Sequence, residues 1–279
     1  MARVVVAQEA GACFGVERAL GMVREEAASA ERPVHTLGPL IHNPTVVAEL
    51  EAQGVSVVAD PEDAQLGDTL FMRTHGVAPQ VERRAQAHGL KVLDATCPFV
   101  KKVHRAAERL YGEGYQVIVV GEAGHPEVEG TVGHVPEALV VGHPAELKDV
   151  SLARKVGLVV QTTLAEQTLR EVVAALVGRC EELRVVDTIC DATAKRQAAA
   201  AELARKADVM VVIGGRNSAN TTHLADICSK ICARTHHIEV PSEVEASWFS
   251  GAALVGITAG ASTPAAQIEA TRSRVEELL

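Results

Sequence analysis

The chain has 279 residues, of which 47% are hydrophobic but only 3% aromatic, so its core must be built mainly from Val, Ala, Leu and Ile. Its formal net charge of −9 argues against general nucleic-acid binding, which usually requires a basic surface. No apolar run reaches the length of a membrane-spanning helix, and the first residues lack the long apolar segment of a signal peptide. We therefore expect a cytoplasmic protein without a nucleic-acid or membrane partner. Its six cysteines should be thiols, metal ligands or catalytic groups rather than disulfides.

Short β-branched runs alternate with helical patterns rich in Ala, Glu, Arg and Leu along the whole chain. The predicted strands are residues 3–8, 34–38, 55–60, 69–76, 91–97, 116–121, 139–142, 156–161, 183–190, 208–215, 237–240 and 253–260. The predicted helices include residues 16–30, 44–52, 78–88, 100–113, 166–177, 192–206 and 265–278. Several strands, such as 117–120 and 209–213, are almost continuously apolar, which is typical of a sheet covered on both faces. The pattern predicts an α/β fold with largely parallel sheets.

Small or polar clusters follow many of the predicted strands. They occupy residues 38–44, 73–76, 121–127, 161–163, 214–220 and 258–262. Ligands of open α/β sheets bind beyond the carboxyl ends of the strands, so these clusters are candidate walls of one pocket. An ordinary turn explains any one of them, whereas the whole set favours a binding site. The chain has no P-loop, dinucleotide-binding fingerprint, zincin motif or nucleophile elbow, which disfavours those enzyme classes.

Three cysteines lie where a predicted strand gives way to a helix: Cys13, Cys97 and Cys190. A helix N-terminus favours the thiolate, which is the form that binds metal. Their wide spacing does not name a cofactor, because they are not C-x-x-C pairs, and three buried thiols remain the alternative.

The other cysteines have a different setting. Cys228 and Cys232 are four residues apart in a helical stretch, and Cys180 follows an amphipathic helix. We expect these three to be buried and chemically inert.

At the three junction cysteines, the chain resembles the 4-hydroxy-3-methylbut-2-enyl diphosphate reductase family, which performs the last step of the non-mevalonate isoprenoid pathway. The matching stretches are Cys13-Phe-Gly-Val, Ile41-His-Asn, Thr74-His-Gly-Val, Asp94-Ala-Thr-Cys97-Pro-Phe-Val, Gly124-His-Pro-Glu-Val-Glu-Gly130, Gln161-Thr-Thr, Ile189-Cys190-Asp-Ala-Thr, Asn217-Ser-Ala-Asn220 and Gly256-Ile-Thr-Ala-Gly-Ala-Ser262. They follow one another over essentially the whole chain, so the combination is specific although each piece is weak alone.

The resemblance implies three small parallel-sheet α/β domains in a trefoil around a central cluster and substrate pocket. The implied domains are residues 14–97, 98–190 and 191–279, joined by an N-terminal strand at 1–13. It also implies a [4Fe–4S] cluster held by Cys13, Cys97 and Cys190, with one iron left open for the substrate hydroxyl.

The implied activity is that of an oxidoreductase. It removes the C4 hydroxyl of 4-hydroxy-3-methylbut-2-enyl diphosphate with two electrons and two protons, giving isopentenyl and dimethylallyl diphosphate. The open iron would act as a Lewis acid on the leaving oxygen, and the family expectation for the electron donor is ferredoxin or flavodoxin.

The resemblance also assigns the groups that deliver protons. Glu127 is the candidate acid, and Thr162 is the matching hydroxyl, expected to contact the substrate as well. A catalytic acid works best when burial raises its pKa toward neutrality. Spacing alone does not separate Glu127 from Glu129, and Thr163 lies beside Thr162.

The diphosphate requires several hydrogen-bond donors. The residues expected to bind it are His42, His75, His125, Ser218, Ala219, Asn220 and Ser262. Ala219 departs from the family, which often has a second serine there, so a hydroxyl donor is lost and only the backbone N–H remains. Thr221 and Thr222 are available as substitutes.

Two other functions stay open at this point. One is a mononuclear zinc hydrolase of a phosphorylated metabolite that uses His, Cys and Glu from the same pocket. The other is a non-catalytic iron–sulfur sensor that binds an isoprenoid diphosphate.

Overall fold

The computed structural model describes residues 2–279 and contains three four-stranded sheets in which all paired strands run parallel. The strands are β1 (Arg3–Val6), β2 (Val34–Leu37), β3 (Val55–Val58), β4 (Thr69–Met72), β5 (Lys91–Asp94), β6 (Gln116–Val120), β7 (Leu139–Val141), β8 (Lys155–Val160), β9 (Glu182–Val185), β10 (Val209–Ile213), β11 (Thr235–Ile238) and β12 (Leu254–Ala259). The helices are α1 (Phe14–Ser29), α2 (Pro44–Ala52), α3 (Pro79–Ala87), α4 (Pro98–Gly112), α5 (Pro126–Val132), α6 (Glu166–Leu176), α7 (Asp191–Ala204), α8 (Ala219–Ser229) and α9 (Ala265–Leu278). The predicted α/β class with parallel sheets is confirmed.

Short 3-10 helices complete these elements. They lie at Pro61–Asp63, Pro144–Leu147, Pro241–Glu243 and Ala246–Phe249. Within residues 2–279, none of the helices is long and apolar enough to cross a membrane.

One compact unit contains the sheet with the strand order β1-β12-β10-β11. The unit consists of the residues up to Val16, His42–Pro44 and Cys190–Leu279. Successive side chains of a strand point to opposite faces of the sheet. Val209 and Val211 therefore pack on the α9 side, whereas Met210 and Val212 pack on the side of α7 and α8. Burial on both faces explains why β10 is a continuous apolar run.

A second compact unit contains the other two sheets, with strand orders β3-β2-β4-β5 and β7-β6-β8-β9. The unit consists of Glu17–Ile41 and Thr45–Ile189. In its second sheet, Val117 and Val119 of β6 pack with α4, whereas Ile118 and Val120 pack with α6. The loops that follow the central strands therefore lie at the carboxyl ends of the sheets, which is where α/β folds bind their ligands.

The structure contains α5, a helix that the sequence analysis did not propose, and α8, which extends the helical stretch expected at Cys228 back to Ala219. Both have weak helix propensity, because α5 contains Gly130 and β-branched residues, and α8 has Asn220 and two threonines directly after Ala219. Capping compensates: His125 caps α5, and Ser218 caps α8. Strand β11 lies two residues earlier than predicted. The trefoil arrangement and the proposed domain boundaries stay predictions.

Candidate active site

A buried carboxyl lies at the carboxyl ends of two neighbouring strands. Pro126 and Glu127 are the first two residues of α5, which follows β6, and Thr162 follows β8, the partner of β6 in the sheet. The Thr162 backbone N–H donates to Glu127 Oε1 over 2.6 Å, and the Thr162 hydroxyl donates to Glu127 Oε2 over 2.7 Å. Both carboxylate oxygens are therefore held by one residue, and the pairing predicted from the family motif is present.

This environment favours the protonated acid. Glu127 is only 2% exposed, and burial raises its pKa from 4.5 to about 7, although the two hydrogen bonds from Thr162 oppose the shift. A carboxyl with a pKa near neutrality can release or accept a proton at physiological pH. Glu129, which the sequence alone did not separate from Glu127, is exposed. Burial therefore distinguishes the two carboxyls.

One predicted histidine is bonded to the backbone of Glu127, and a second contacts the ring of the first. His125 caps α5, because its Nδ1 accepts a hydrogen bond from the Glu127 backbone N–H over 3.1 Å. Its Nε2 then carries the proton in the neutral ring. The His75 and His125 rings meet edge to face, with centroids 5.7 Å apart. The predicted residues His75, His125, Glu127 and Thr162 thus form one group.

Cys97 lies in the same unit at the N-cap position of α4, without a capping hydrogen bond from its side chain, and Pro98 is the first helical residue. Its backbone N–H donates to the Thr74 carbonyl over 3.0 Å, while the Thr74 hydroxyl donates to the Leu40 carbonyl over 2.9 Å. The loop after β4 is therefore tied to the strand-to-helix junction that carries Cys97. The predicted location of this cysteine at a helix N-terminus is observed.

Cys13 and Cys190 lie in the first unit, where their charges interact. Cys13 immediately precedes α1, and its backbone N–H donates to the Ala261 carbonyl over 3.1 Å. Cys190 caps α7. Burial raises the pKa of the Cys190 thiol, backbone N–H groups of Ala192 and Thr193 oppose that rise, and Cys13 adds to it. A nearby cation would therefore help to stabilise the Cys190 thiolate.

The structure adds Arg196, which the sequence analysis missed. This side chain is only 3% exposed and donates to the Gly11 carbonyl over 2.8 Å. Burial lowers the pKa of Arg196, while the charges of Cys13 and Cys190 raise it. A buried guanidinium thus lies within electrostatic reach of both thiols. The signal in the sequence was an arginine six residues after Cys190 in an alanine-rich helix.

The predicted diphosphate-binding residues of the first unit lie after β10 and β12, which are neighbours in the sheet. Ser218, Ala219 and Asn220 are buried at the start of α8. The Ser218 hydroxyl accepts the Thr221 backbone N–H, and the Asn220 Nδ2 is buried with no hydrogen-bond partner among residues 2–279. A buried amide donor without a partner costs free energy, so it marks a place for an acceptor.

Ser262 and His42 border the same sheet edge. The Ser262 carbonyl accepts from Asn43 Nδ2 over 2.8 Å, and the His42 carbonyl lies against Gly215, where an added Cβ would be 2.7 Å away. Of the two hydroxyls considered as substitutes at Ala219, that of Thr222 donates to a backbone carbonyl. The Thr221 hydroxyl is buried without a partner in the described part of the chain.

The six cysteines supply thiols, the groups that bind an iron–sulfur cluster, but their side chains are not arranged around a common metal position. Within residues 2–279, none of the six is in a disulfide, and no group of three or more His, Cys, Asp or Glu side chains is arranged to hold a metal ion. Cys228 and Cys232 are buried, and burial raises the pKa of Cys228 to about 12, so it is an inert thiol as expected. Cys180 is half-buried against Leu176.

Comparison with known proteins gives a match over the full length. The family described as "LytB protein" matches residues 4–276. A relative from Pelobacter propionicus named 4-hydroxy-3-methylbut-2-enyl diphosphate reductase is 46% identical over 99% of this chain and 98% of its own length. A relative from Aquifex aeolicus with the same name is 44% identical over 100% of this chain and 97% of its own.

Two solved structures that resemble this chain are also described as reductases of this kind. One, described as (E)-4-hydroxy-3-methyl-but-2-enyl diphosphate reductase, the terminal enzyme of the non-mevalonate pathway, is 42% identical, with a TM-score of 0.73 over 99% of this chain and 100% of that chain. The E-1-hydroxy-2-methyl-but-2-enyl-4-diphosphate reductase from Plasmodium falciparum is 26% identical, with a TM-score of 0.92 over 95% of this chain and 85% of that chain. The resemblance inferred from the sequence motifs is thus confirmed, and the chain belongs to the LytB family of 4-hydroxy-3-methylbut-2-enyl diphosphate reductases.

Proposed function

We propose that this protein reduces 4-hydroxy-3-methylbut-2-enyl diphosphate to isopentenyl and dimethylallyl diphosphate. The C4–oxygen bond breaks, two electrons and two protons enter, and the oxygen leaves as water. The observation that carries the proposal is the buried Glu127 held by Thr162 in a chain whose full-length relatives have this name. Relatives that are named as reductases favour this function over the zinc hydrolase and over the non-catalytic sensor.

Glu127 is the proposed proton donor. With a pKa near 7, it retains a proton at neutral pH and can release it to the leaving oxygen. Thr162 holds both carboxyl oxygens, so it orients the acid and stabilises the carboxylate that proton release leaves behind. The ring of His125 is fixed by the backbone N–H of Glu127, and we propose that it contacts the substrate.

The diphosphate is proposed to bind through His42, Ser218, Asn220 and Ser262, together with His75 and His125. The buried Asn220 amide supports this assignment, because it is a donor without an acceptor in the described residues. Backbone N–H groups at the start of α8, including that of Ala219, add donors that favour an anion.

Cys13, Cys97 and Cys190 are the proposed ligands of a [4Fe–4S] cluster with one open iron site. They fit this group chemically, since each is a thiol immediately before a helix and none is in a disulfide in the described chain. Such a cluster, when bound, supplies single electrons and a site for the substrate hydroxyl. Arg196 would offset part of the negative charge of the thiolates Cys13 and Cys190.

The remaining assignments follow from the family resemblance. We infer that the protein is cytoplasmic and that ferredoxin or flavodoxin donates the electrons. The acidic net charge of −9 is consistent with a protein that binds neither nucleic acid nor anionic membrane surfaces in a general way.

The decisive experiment is anaerobic purification followed by iron, sulfide and zinc analysis and turnover with a chemical one-electron donor. We expect a brown protein with about four irons per chain that consumes the substrate. A colourless zinc protein would refute the reductase, and a brown protein that binds the substrate without turnover would indicate a sensor. The Cys190→Ser variant should lose iron, whereas Cys228→Ser, which alters a buried thiol of α8, is the matched control.

A further inference from the structure

The loop that carries His75 is packed tightly between two helices of the same unit. Gly76 has a φ of +74°, and a Cβ at this position would lie 2.7 Å from Cε1 of His104 and 3.2 Å from the methyl group of Thr96. The backbone of the loop therefore lies directly against the ring of His104, which belongs to α4. A residue with a side chain would collide with the His104 ring and would have an unfavourable positive φ, so this position requires glycine.

The opposite side of the loop lies against α5. A Cβ on Gly130 would be 3.3 Å from the Gly76 carbonyl carbon and 3.5 Å from the His75 carbonyl oxygen. One turn later, a Cβ on Gly133 would be 2.2 Å from the Cβ of Ala78. The two glycines thus let the backbone of α5 and its C-terminal end approach the loop closely.

His104 is itself held in place. It is 6% exposed and stacks on His134, with ring centroids 4.1 Å apart and an angle of 29° between the planes. His134 binds Glu108 of α4 over 2.8 Å, so the stack joins α4 to the segment that follows α5. Burial lowers the pKa of His104 to about 4, which keeps its ring neutral at physiological pH.

This packing links two of the residues that the proposed function uses. His75 belongs to the loop, and Glu127 lies one turn before Gly130 on α5. Since the contact from Gly76 to Gly130 is between backbones, a displacement of the loop moves His75 relative to Glu127 directly. The edge-to-face contact of His75 with His125 lies between the same two segments.

We propose that His104 and Gly130 are positioning residues that clamp the loop from Thr74 to Ala78 and so set the location of His75 relative to Glu127. The inference rests on the proposed function, because it assigns these residues a role in the same reaction. Neither residue is proposed to touch the substrate. Their effect is on the geometry of the groups that do.

The first test is Gly130→Ala, which places a methyl group between α5 and the loop. We expect kcat/KM for the diphosphate substrate to fall at least tenfold per loaded cluster, with unchanged iron content and unchanged reduction of the cluster by dithionite. Gly21→Ala is the matched control, since Gly21 also lies inside a helix but a Cβ there meets nothing within 4 Å. Wild-type kinetics in Gly130→Ala would overturn the proposal.

The second test compares His104→Phe with His104→Ala, which covers the case in which Gly130→Ala does not fold. Phe keeps a flat ring against Gly76 and His134 and should retain most activity. Ala should lose it, and added imidazole, which can fill the space left by the ring, should restore part of it. Equal loss in both variants without rescue would show that the ring does not act by packing.

A measurement that needs no turnover separates this inference from the proposed function. In ¹⁵N-histidine NMR spectra, the signals of His75 and His125 should shift in Gly130→Ala and His104→Ala but not in Gly21→Ala. If the wild type does not reduce the substrate, the proposed function fails, and these shifts still report on the clamp. If the wild type is active and the His75 signal is unchanged in both variants, the clamp alone is refuted.

Discussion

The raised pKa of Glu127 predicts a definite dependence of stability on pH. Its pKa is about 7 in the fold and 4.5 as an unperturbed side chain. At a pH between these two pKa values, Glu127 is ionised in the unfolded chain and protonated in the folded chain. The free energy of unfolding therefore falls as the pH rises from 4.5 to 7 and stays lower above 7. A difference of roughly 2.5 pKa units corresponds to about 3 kcal/mol.

Glu127→Gln removes this titration while preserving the shape of the side chain. The Gln oxygen can accept from the Thr162 backbone N–H, and the Gln amide can donate to the Thr162 hydroxyl, which then turns to accept. At pH 8 the variant should be more stable than the wild type by up to about 3 kcal/mol, whereas at pH 4 the two should be equally stable. It should also lose about 10²- to 10⁴-fold in kcat, as expected when a general acid is removed.

Anaerobic urea unfolding of the apoprotein at pH 4 to 8, followed by circular dichroism, measures the first effect. Steady-state turnover of the loaded enzyme over the same range measures the second, and the wild-type kcat should decline above pH about 7 as Glu127 loses its proton. Glu129→Gln on the exposed side of the same helix is the matched control and should behave as the wild type. The reasoning is refuted if Glu127→Gln and the wild type share one stability profile, or if Glu129→Gln is the variant that loses turnover.

Further predictions concern the neighbouring groups. Cys190→Ser should lose most of its iron, while Cys228→Ser should retain it; equal iron content by elemental analysis would contradict the assigned ligand. The Thr162 hydroxyl donates to Glu127 and lowers the pKa of that carboxyl. Thr162→Val removes the hydroxyl, so the pKa of Glu127 should rise and the alkaline decline of kcat should move to higher pH. A shift of the decline to lower pH would contradict this. Ala219→Ser adds the hydroxyl that the family resemblance implies at this position. It should lower KM by up to about tenfold with unchanged kcat, for a hydrogen bond of about 1.5 kcal/mol. An increased KM would show that the site has no room for the hydroxyl.

The strands were predictable because their apolar character has one physical cause. The central strands β6, β8 and β10 are buried on both faces, so almost all of their residues are apolar. Helix α5 and the first turns of α8 were not predicted, because neither segment has strong propensity and both depend on a capping residue and on tertiary packing. Edge strand β11 has no continuous apolar run, and its predicted position was two residues late.

In the candidate site, too, some features could be predicted from the sequence, whereas others depend on tertiary packing. The family motifs proposed the roles of Glu127 and Thr162, and the strand-to-helix position singled out the three junction cysteines, but neither signal contained information about burial. Burial is what separates Glu127 from Glu129, and it depends on how α5 packs on its sheet. Arg196 was missed for the same reason, since an arginine in an exposed helix and one buried beside two thiols look alike in a sequence.

Burial and helix N-termini act against each other at these junctions. A helix N-terminus favours negative charge, and Glu127 and Cys190 both lie at one. Burial nevertheless raises the pKa of both groups, because the few N–H donors do not replace the lost water. For Glu127 this outcome suits an acid that must hold its proton at neutral pH. For Cys190 it means that the helix alone does not produce a thiolate. If Cys190 binds the proposed cluster, the positive charge of the metal, assisted by Arg196, would favour loss of the thiol proton.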